Sequence, residues 1–374
     1  MKFDVAIVGA GPAGSTLAAI LARRGLGVAL IDRDQFPRDK LCGEFLSYDA
    51  LPILDRLGVA LKTPQIASCR VISRHRQYEF EFPSAARGVS RQLLDDLLFR
   101  TAVRSGAHPF AGWTASDLFP LSIERGGERQ LIDARLIVGA WGRWGRFDTQ
   151  LGRGFAKDRS HRHFGFKRHY VERQPSSAAG VIELYSYRGG YLGVSPIENR
   201  ITNICGLVHA SRLAGHKGRW QTFVDEIRSE EPRLDAMYAR HEPAQDGFLS
   251  SEPVIFRARS PVERGVPMIG DASGIVDPLT GNGMAMAIQS AAVAVPHVMG
   301  MLGGRGNENA YRDAHARFFG PRIAWSRRVA AILSRPSLLD AALRAVRSRR
   351  PGEFLLAHTR ATPAAVERLA DESF

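Results

Sequence analysis

One segment near the start of the chain restricts the fold more than any other. It reads Val5-Ala-Ile-Val-Gly-Ala-Gly-Pro-Ala-Gly14 and continues through an apolar run to Val28-Ala-Leu-Ile-Asp32. The two apolar runs, with glycines and helix-forming residues between them, predict a strand, a tight turn, a helix and a second strand. Unpaired N–H groups at the start of such a helix bind phosphate. The segment therefore predicts a nucleotide-binding βαβ unit.

The glycines of this turn and the acid that follows have separate roles in binding a dinucleotide. Gly9 permits the tight turn, Gly11 lets the backbone approach a pyrophosphate closely, and Gly14 lets the helix pack against the strand. Asp32 ends the second strand, where its carboxylate can accept hydrogen bonds from a ribose. The cofactor-binding residues predicted here are Gly9, Gly11, Pro12, Ala13, Gly14, Asp32 and Arg33.

A second glycine-bearing segment lies far along the chain. Pro267-Met-Ile-Gly-Asp271 reads as a strand end, and a loop with further glycines, residues 278–283, leads into a long apolar helix. The start of such a helix presents its positive dipole end and can stabilise a developing anion. We predict that this segment binds the same cofactor through Gly270, Asp271, Gly281, Asn282 and Gly283.

The rest of the chain divides into pieces of different character. Helical and strand patterns continue the α/β order up to Ala140, residues 69–82 alternate like a strand, and residues 150–255 contain aromatic strand-like runs. We predict an α/β fold with a discontinuous Rossmann-like domain, an antiparallel-sheet substrate domain and C-terminal helices. The predicted boundaries are 1–60, 85–148 and 256–300 for the Rossmann-like domain, 61–84 and 149–255 for the substrate domain, and 301–374 for the helices, whose last residues we expect to be loosely held.

The chain is strongly basic, with 51 Lys and Arg residues against 38 Asp and Glu and a formal net charge of +13. Most of the cations are arginines scattered along the chain, so the charge does not indicate nucleic-acid binding. In the C-terminal region arginines do interleave with apolar residues at helical spacing: Arg322, Arg327, Arg328, Arg335, Arg344, Arg347, Arg349 and Arg350. This pattern favours a solvated helix face, with a membrane surface or an acidic carrier domain as the alternative.

We expect a cytoplasmic protein, with peripheral contact to a membrane surface as the alternative. The longest apolar run, residues 285–302, is interrupted by polar residues and is typical of a buried helix rather than a membrane span. The first strand begins so early that we expect no signal segment before it. Cys42, Cys69 and Cys205 lack disulfide or zinc spacing. No metal spacing occurs among His75, His161, His163 and His169 either, so we predict no metal site and expect surface positions for these histidines.

Three further segments, taken in order with the two glycine turns, resemble one family. They are Lys40-Leu-Cys-Gly-Glu44, Arg91-Gln-Leu-Leu-Asp95 and Gly190-Tyr-Leu-Gly-Val-Ser-Pro196. Over about residues 3–300 the chain resembles the flavoprotein superfamily with the aromatic-hydroxylase fold, and within it the geranylgeranyl reductase-like branch. The resemblance implies that FAD is the cofactor.

The resemblance also implies individual roles. The N-terminal glycines would hold the FAD pyrophosphate, Asp32 the ribose, and Arg91 the phosphate or adenosine region. Asp271 would bind the ribityl chain or a phosphate-linked hydroxyl. The loop ending at Gly283 would lie along the pyrimidine edge of the flavin, where its N–H groups stabilise negative charge. Cys42 and Gly43 would lie near the flavin ring.

The chain departs from the superfamily at two positions. Ser273 and Gly274 follow Gly-Asp-Ala where aromatic hydroxylases have histidine, which favours the reductase and halogenase members. Trp141-Gly142 stands where an Asp-Gly motif linked to FAD and NAD(P)H handling is expected, so NAD(P)H is an open question as the external reductant. A Trp-x-Trp-x-Ile-Pro motif of tryptophan halogenases is also missing.

Two residues are candidate catalytic groups. Cys42 could donate a proton or shape the pocket near the flavin, although free cysteine is often only a small buried apolar residue. Tyr191 could supply a phenolic proton from the substrate domain, although aromatic strand residues are more often core. Glu44 could bind ribose or orient its loop, with helix capping as the alternative.

We therefore predict an FAD-dependent oxidoreductase acting on a hydrophobic small molecule. C=C reduction or related hydride transfer on an isoprenoid- or polyketide-like substrate, either free or tethered to a carrier protein, is the first interpretation. The alternative is a monooxygenase acting on an aromatic or polyketide substrate; a halogenase or a flavin-binding electron-transfer protein is less favoured. A peripheral membrane or a reductase protein is a possible partner. The fold alone does not choose between these reactions.

Overall fold

A computed structural model describes residues 1–143, 145–157, 163–173, 180–216, 218–251, 254, 259–274, 281–346 and 350–374. The strands in this part of the chain are β1 (Lys2–Val8), β2 (Val28–Asp32), β3 (Phe45–Leu46), β4 (Gln65–Ile72), β5 (Gln77–Gly88), β6 (His108–Ala111), β7 (Thr114–Leu118), β8 (Leu121–Arg125), β9 (Glu128–Leu131), β10 (Asp133–Gly139), β11 (His163–Glu172), β12 (Val181–Tyr187), β13 (Gly190–Pro196), β14 (Ile201–His209), β15 (His241–Pro243), β16 (Leu249–Ser250), β17 (Val262–Glu263) and β18 (Val266–Pro267). The α-helices are α1 (Pro12–Arg23), α2 (Leu51–Leu57), α3 (Arg91–Arg104), α4 (Arg146–Gln150), α5 (Ala210–Leu213), α6 (Trp220–Glu230), α7 (Pro232–Ala239), α8 (Gly283–Leu302), α9 (Glu308–Leu333), α10 (Pro336–Ala345), α11 (Arg350–Thr359) and α12 (Pro363–Ser373).

A parallel four-stranded sheet in the order β10-β1-β2-β6 forms the centre of the first structural unit. Both faces of a parallel sheet must be covered by other elements. Helices α1, α3 and α8 share one apolar core with the sheet, which includes Ile7, Leu17, Leu30, Leu98 and Ile288. A separate core joins the sheet to the antiparallel strands β7 and β8, and β9 pairs with β8. The predicted α/β fold is confirmed.

A large, mainly antiparallel sheet forms the second unit, in the order β15-β11-β14-β13-β12-β4-β5-β3, with β16 paired to β11. Side chains alternate between its faces. On β13, Leu192 and Val194 pack with α6 and α7, whereas Tyr191 packs on the opposite face with residues of α9, α10 and α11. The Tyr191 face also contacts the loop between β2 and β3, so this face adjoins the parallel-sheet unit.

Two expectations about local structure are wrong. Residues 69–82 form not one strand but a hairpin of β4 and β5, because the polar Ser73–Arg76 segment makes a turn in which the Ser73 N–H donates to the Arg76 carbonyl at 2.9 Å. The C-terminus is not loosely held. Ser373 is fully buried, and its hydroxyl donates to the Ala292 carbonyl at 3.2 Å because apolar residues of α12 pack on α8.

Helix α8 is long and apolar enough to cross a membrane by length and composition, as judged over the described residues. Its most apolar 18-residue window is 61% buried inside the protein, and it packs against α1 and α12. This is the environment of a core helix, as its interrupted apolar run predicts. The domain boundaries stay a prediction, although β3 pairs with β5, so residues 1–60 contribute to both sheets.

The arginines of the C-terminal region do not form one solvated face. Arg322 is buried and donates to the Gln289 side-chain oxygen at 2.9 Å, with the Asp49 carboxylate at 3.3 Å. Arg328 lies over the Trp325 ring, 5.0 Å from its centre. Arg347 and Arg349 lie outside the described residues. Helical spacing alone could not separate the buried arginine from its exposed neighbours, because its partners come from distant segments.

Candidate cofactor site and active site

The turn between β1 and α1 has no space for side chains at two of its glycines. Gly9 has φ of +111°, and a Cβ there would lie 2.2 Å from the Ala140 carbonyl oxygen. A Cβ at Gly14 would lie 1.8 Å from the Gly9 carbonyl oxygen. Gly11 precedes Pro12 at the start of α1. The backbone is therefore open in front of the helix N-terminus, as a phosphate-binding turn requires.

Two guanidinium groups lie beside this turn. A Cβ at Gly11 would lie 3.8 Å from Nη2 of Arg91 and 3.9 Å from Nη2 of Arg38. Asp95 holds Arg91 through two hydrogen bonds of 2.7 Å each. Burial alone would lower the pKa of Arg91, but the Asp95 carboxylate raises it overall, so the group stays charged. Two cations next to a helix N-terminus make a suitable pyrophosphate site.

Asp32 organises the same region from the end of β2. One carboxylate oxygen accepts from the Ala10 N–H at 2.7 Å, and the other accepts from Arg38 at 2.5 Å. Sequence reasoning missed Arg38, which follows Asp32 in a turn, and selected Arg33 instead. The Arg33 side chain is 70% exposed. Successive side chains of an extended segment point in opposite directions, and Arg33 directly follows the inward-facing Asp32 at the end of β2. Contact of Arg33 with a cofactor stays a prediction.

A buried charged network, formed by Asp39, Glu44, Lys167 and His169, joins the two units. The Lys167 ammonium donates to Asp39 at 2.6 Å and to Glu44 at 2.7 Å, and both Lys167 and Glu44 are fully buried. Nε2 of His169 lies 2.7 Å from the other Glu44 oxygen, and the backbone N–H of Arg91 donates to Glu44 at 3.0 Å. Burial alone lowers the pKa of Lys167, but the two carboxylates raise it overall.

This network fixes the loop that contains Cys42. Glu44 has φ of +55°, and its carboxylate accepts from Lys167 of β11 and from the backbone N–H of Arg91 at the start of α3, so it orients its loop and also caps this helix. The surface position expected for His169 is wrong, because the buried Glu44 carboxylate draws it inward. The carboxylate partners lie more than a hundred residues from Lys167 and His169 along the chain, so sequence spacing held no signal for them.

Cys42 lies against the second sheet. Its carbonyl accepts from the Asn203 side chain at 2.9 Å, and its sulfur accepts from the Glu44 N–H at 3.5 Å. Cys205 lies on the same face as Asn203, and burial raises its pKa to about 12. The Ser195 hydroxyl and Oδ1 of the Asn203 side chain are buried without a hydrogen-bond partner among the described residues. They are cross-strand neighbours, so two orphaned polar atoms meet beside the Cys42 loop.

The distant glycine segment reaches the same place. The Gly270 N–H donates to Ser290 at 2.7 Å, and the Asp271 carboxylate lies 3.5 Å from Nε of Arg143. Arg143 also donates to the Leu41 carbonyl at 3.2 Å. The turn after β10, the Gly-Asp segment and the Cys42 loop therefore converge through Arg143, which sequence reasoning did not select.

Trp141, which stands in place of the expected acid, has a packing role. A Cβ at Gly139 or Gly145 would lie 2.4 Å from its indole ring, and Nε1 donates weakly to Asp148 at 3.4 Å. The indole therefore fills the space after β10. The sequence by itself indicated only that position 141 lacks the expected carboxylate.

The loop before α8 is described only at its end, since residues 275–280 lie outside the described residues, Pro278 among them. A Cβ at Gly281 would lie 2.8 Å from the Phe45 ring, and φ there is +61°. Asn282 is fully buried, and its amide donates to the Thr359 carbonyl at 2.6 Å. Gly283 begins α8 and has open space in front of it. This helix start is free to face an anionic ligand group.

The residues fit FAD at several independent points. The glycine turn and the two guanidinium groups suit the pyrophosphate, and the orphaned polar atoms with the α8 start suit hydrogen-bonding groups of a flavin. No cluster of three or more potential metal ligands occurs within the described ranges. The contacts of each predicted cofactor residue with FAD stay a prediction.

Comparison with known proteins decides the family. The model of the FAD-binding-domain family matches residues 2–317, most of the chain. The chain belongs to this family. It is a flavoprotein of the aromatic-hydroxylase type, and FAD is the cofactor that the family binds.

Relatives of this flavoprotein carry out more than one reaction. It is 30% identical over 366 residues to a menaquinone reductase of Mycolicibacterium smegmatis, covering 91% of this chain and 86% of the relative. A myxobacterial chondrochloren halogenase superposes with a TM-score of 0.77 at 17% identity, over 100% of this chain and 96% of the halogenase. A geranylgeranyl bacteriochlorophyll reductase-like protein from Thermoplasma acidophilum gives 0.75 at 18% identity, over 99% of each chain. The two solved structures show the shared fold.

Proposed function

We propose that this flavoprotein is an oxidoreductase that reduces a C=C bond, or carries out a related hydride transfer, on a hydrophobic isoprenoid- or polyketide-like molecule. The similarity to a menaquinone reductase over most of both chains supports a reductase. The resemblance of its Lys-x-Cys-Gly segment to the geranylgeranyl reductase-like branch points to the same chemistry.

The observation that carries the proposal is a cavity on the Tyr191 face of the large sheet. It has a volume of about 840 Å³ and lies between the sheet and the junction of α9 and α10. Tyr191 and Leu207 line it from the sheet, and Ala330 and Ala331 line it from α9. A cavity of this size holds a drug-sized or longer molecule, and these four residues give part of its wall an apolar surface. Its wall belongs to the face that also contacts the Cys42 loop.

The chain's own residues would position and protonate the substrate. FAD, when bound, supplies hydride transfer between an electron donor and the substrate. The Asp39, Glu44, Lys167 and His169 network holds the Cys42 loop against the sheet, so the thiol keeps one position. The N-terminus of α8 stabilises negative charge with its backbone N–H groups. We propose Cys42 or Tyr191 as the proton donor to the reduced carbon, since both lie on this side of the sheet.

The electron donor follows from the same reasoning. The described residues contain one glycine-rich βαβ unit, and Trp141 occupies the position of the expected acid. We propose that NAD(P)H acts from outside without a domain of its own, or that a reductase protein supplies the electrons. We also propose that the protein is cytoplasmic and that its exposed arginines contact a membrane surface or an acidic carrier protein.

Anaerobic turnover tests the reaction. The FAD-loaded protein is mixed with NADPH, or with dithionite as a protein-independent reductant, and with an isoprenoid alcohol, whose only reducible groups are its C=C bonds. We expect the product to gain two hydrogens without oxygen, as measured by mass spectrometry. Cys42→Ser and Tyr191→Phe separate the proton donors, since only loss of the donor slows turnover strongly. Product that contains a new oxygen atom and forms only in air would contradict the reductase assignment.

An oxygen-dependent reaction is the second candidate. The fold shared with a halogenase supports it, because such enzymes use the same scaffold for different chemistry. Hydroxylation of an aromatic or polyketide substrate would consume oxygen in a fixed ratio to product. The same incubations in air, with and without bromide, separate hydroxylation from halogenation. Neither product, with normal FAD binding, would favour an electron-transfer protein.

A further inference from the structure

The mouth of the 840 Å³ cavity has a charge pattern that its apolar floor does not explain. Arg188 lies at the turn between β12 and β13, Arg327 on α9, and Arg335 between α9 and α10. All three line the cavity and all three are exposed. Cations from separate elements therefore surround one opening.

These three guanidinium groups are available to a ligand. Within the described part of the chain none of them has an ion pair or a side-chain hydrogen bond, although the chain forms many Arg–carboxylate pairs elsewhere. Arg328, one residue beyond Arg327, instead stacks on Trp325. Unpaired cations at one opening repel each other, which favours an anion between them.

The acids of the cavity do not balance these cations. The Asp340 carboxylate accepts from the Ser73 hydroxyl and from the His75 N–H at 3.3 Å, so it closes the β4–β5 turn. Glu231 is the other acid that lines the cavity, and burial raises its pKa. Arg74 lies next to Glu231 and further offsets it. The opening therefore keeps a positive field.

Hydrogen bonds between the β12–β13 turn and the end of α9 fix the shape of the opening. The Ser186 hydroxyl of β12 donates to the Leu333 carbonyl of α9, and the Gly189 N–H donates to the Ser334 carbonyl at 3.2 Å. These bonds tie the turn that presents Arg188 to the helix end that leads to Arg335. Below this rim, Tyr191, Leu207 and Ala330 belong to one apolar core. A charged rim above an apolar floor suits an amphiphile with one anionic end.

We propose that Arg188, Arg327 and Arg335 bind a phosphate or carboxylate group at the end of the substrate, while its apolar body enters the cavity past Tyr191. This inference rests on the proposed function, because it assigns the substrate class of that site. The anionic end would stay at the rim, and the reacting double bond would lie farther along the chain. Arginine suits such recognition because its planar fork binds both oxyanions.

The test compares three probes that share one apolar chain and differ at its end: farnesyl monophosphate, farnesoic acid and farnesol. Their dissociation constants for the FAD-loaded protein are measured by calorimetry at low and at high salt. We expect both anions to bind at least about tenfold more tightly than the alcohol at low salt, with the difference shrinking as salt rises.

The variant Arg188→Gln/Arg327→Gln/Arg335→Gln should remove the anion preference and leave farnesol binding unchanged. The matched control, Arg305→Gln/Arg317→Gln/Arg368→Gln, removes the same charge from exposed positions outside the cavity lining and should keep the preference. Equal binding of the three probes to the natural protein would overturn the inference, as would a preference that survives in the first variant. Binding only of a carrier-tethered chain would also overturn it.

The experiments distinguish a failure of this inference from a failure of the proposed reductase function. Reduction of farnesol with no preference for the anions would leave the reductase assignment standing and reject the anionic rim. Tight, arginine-dependent anion binding without any reduction would support the rim and reject the reductase.

Discussion

Single atoms decide whether the cofactor turn can form. At Gly14 a Cβ would meet the Gly9 carbonyl oxygen at 1.8 Å, which is backbone and cannot move without opening the turn. Gly11, in contrast, faces open space and the two guanidinium groups. Gly14 is therefore required for packing, and Gly11 for access of the ligand.

Gly14→Ala should prevent FAD retention and lower the free energy of unfolding by about 1–3 kcal/mol, the usual cost of overpacking. Flavin absorbance of the purified protein and urea unfolding measure the two effects. Gly215→Ala, where a Cβ would have nothing within 4 Å, is the control and should retain FAD. A yellow, equally stable Gly14→Ala protein would show that the turn differs from the one described.

His315 makes stability depend on pH. It lies on α9 with its Nε2 3.0 Å from the Ser273 hydroxyl, and burial lowers its pKa from 6.5 to about 4. Between these values the unfolded chain binds a proton that the folded chain does not, so stability falls as pH falls through this window. The loss is complete below the folded value and amounts to at most about 3 kcal/mol.

His315→Gln keeps a hydrogen-bonding side chain but cannot titrate. Urea unfolding at pH 7 and pH 4 should therefore show a smaller drop in this variant than in the natural protein. His75→Gln, at an exposed position, should show the natural drop. Parallel pH profiles for His315→Gln and the natural protein would reject this role.

At the scale of elements, the C-terminal helices complete both cores. Helix α12 buries Val366, Ala370 and Ser373 against α8, and Arg24 donates to the Ser373 carbonyl at 3.1 Å. Helices α9, α10 and α11 cover the Tyr191 face of the sheet. These helices are therefore part of the fold and of the cavity wall, rather than an appendage.

Val366→Asp should lower the melting temperature markedly, because it buries an unpaired carboxylate at a position that is 0% exposed. FAD content should fall with it, since α8 supports the cofactor loop from the other side. Glu367→Gln at the neighbouring exposed position tests the charge change alone and should melt near the natural temperature. Equal melting of both variants would mean that α12 does not pack as described.

Across the whole molecule, one buried ion network links the parallel-sheet unit to the large sheet. Lys167 is fully buried, and its ammonium lies between the carboxylates of Asp39 and Glu44. A buried pair adds little net stability, but removing one partner leaves the other uncompensated. Loss of any one charge in the network therefore destabilises the contact between the two units, even though the intact network adds little net stability.

Lys167→Met should cost about 3–5 kcal/mol of unfolding free energy, because Glu44 and Asp39 keep their charge without a counterion. Lys167→Met/Glu44→Gln should recover part of this loss. Lys40→Met removes the half-buried pair with Asp34 at 2.6 Å and should cost at most about 1 kcal/mol, because Arg38 remains paired with the Asp34 carboxylate. Urea unfolding with FAD fluorescence reports both. Equal midpoints for Lys167→Met and Lys40→Met would rule out the coupling.

Local sequence determined the parts of this protein whose partners are near in the chain. The strand, glycine turn, helix and acid of residues 5–32 could be predicted, because sterics at Gly9 and Gly14 act within a few residues. The same holds for the existence of α3, β13 and α8, which local runs of apolar residues indicated. The α/β class followed from the order of these elements.

Tertiary structure decided which further charged residues joined Asp32, Arg91 and Asp271 at the site. Arg38, Arg143 and Lys167 look like the other cations in the sequence. Folding brings them partners from distant segments, namely Asp95, the Leu41 carbonyl and Glu44. The same applies to His169 and Arg322, which folding buries beside distant acids. The free energy of burying a charge depends on the groups that surround it in space, and spacing along the chain does not contain that information.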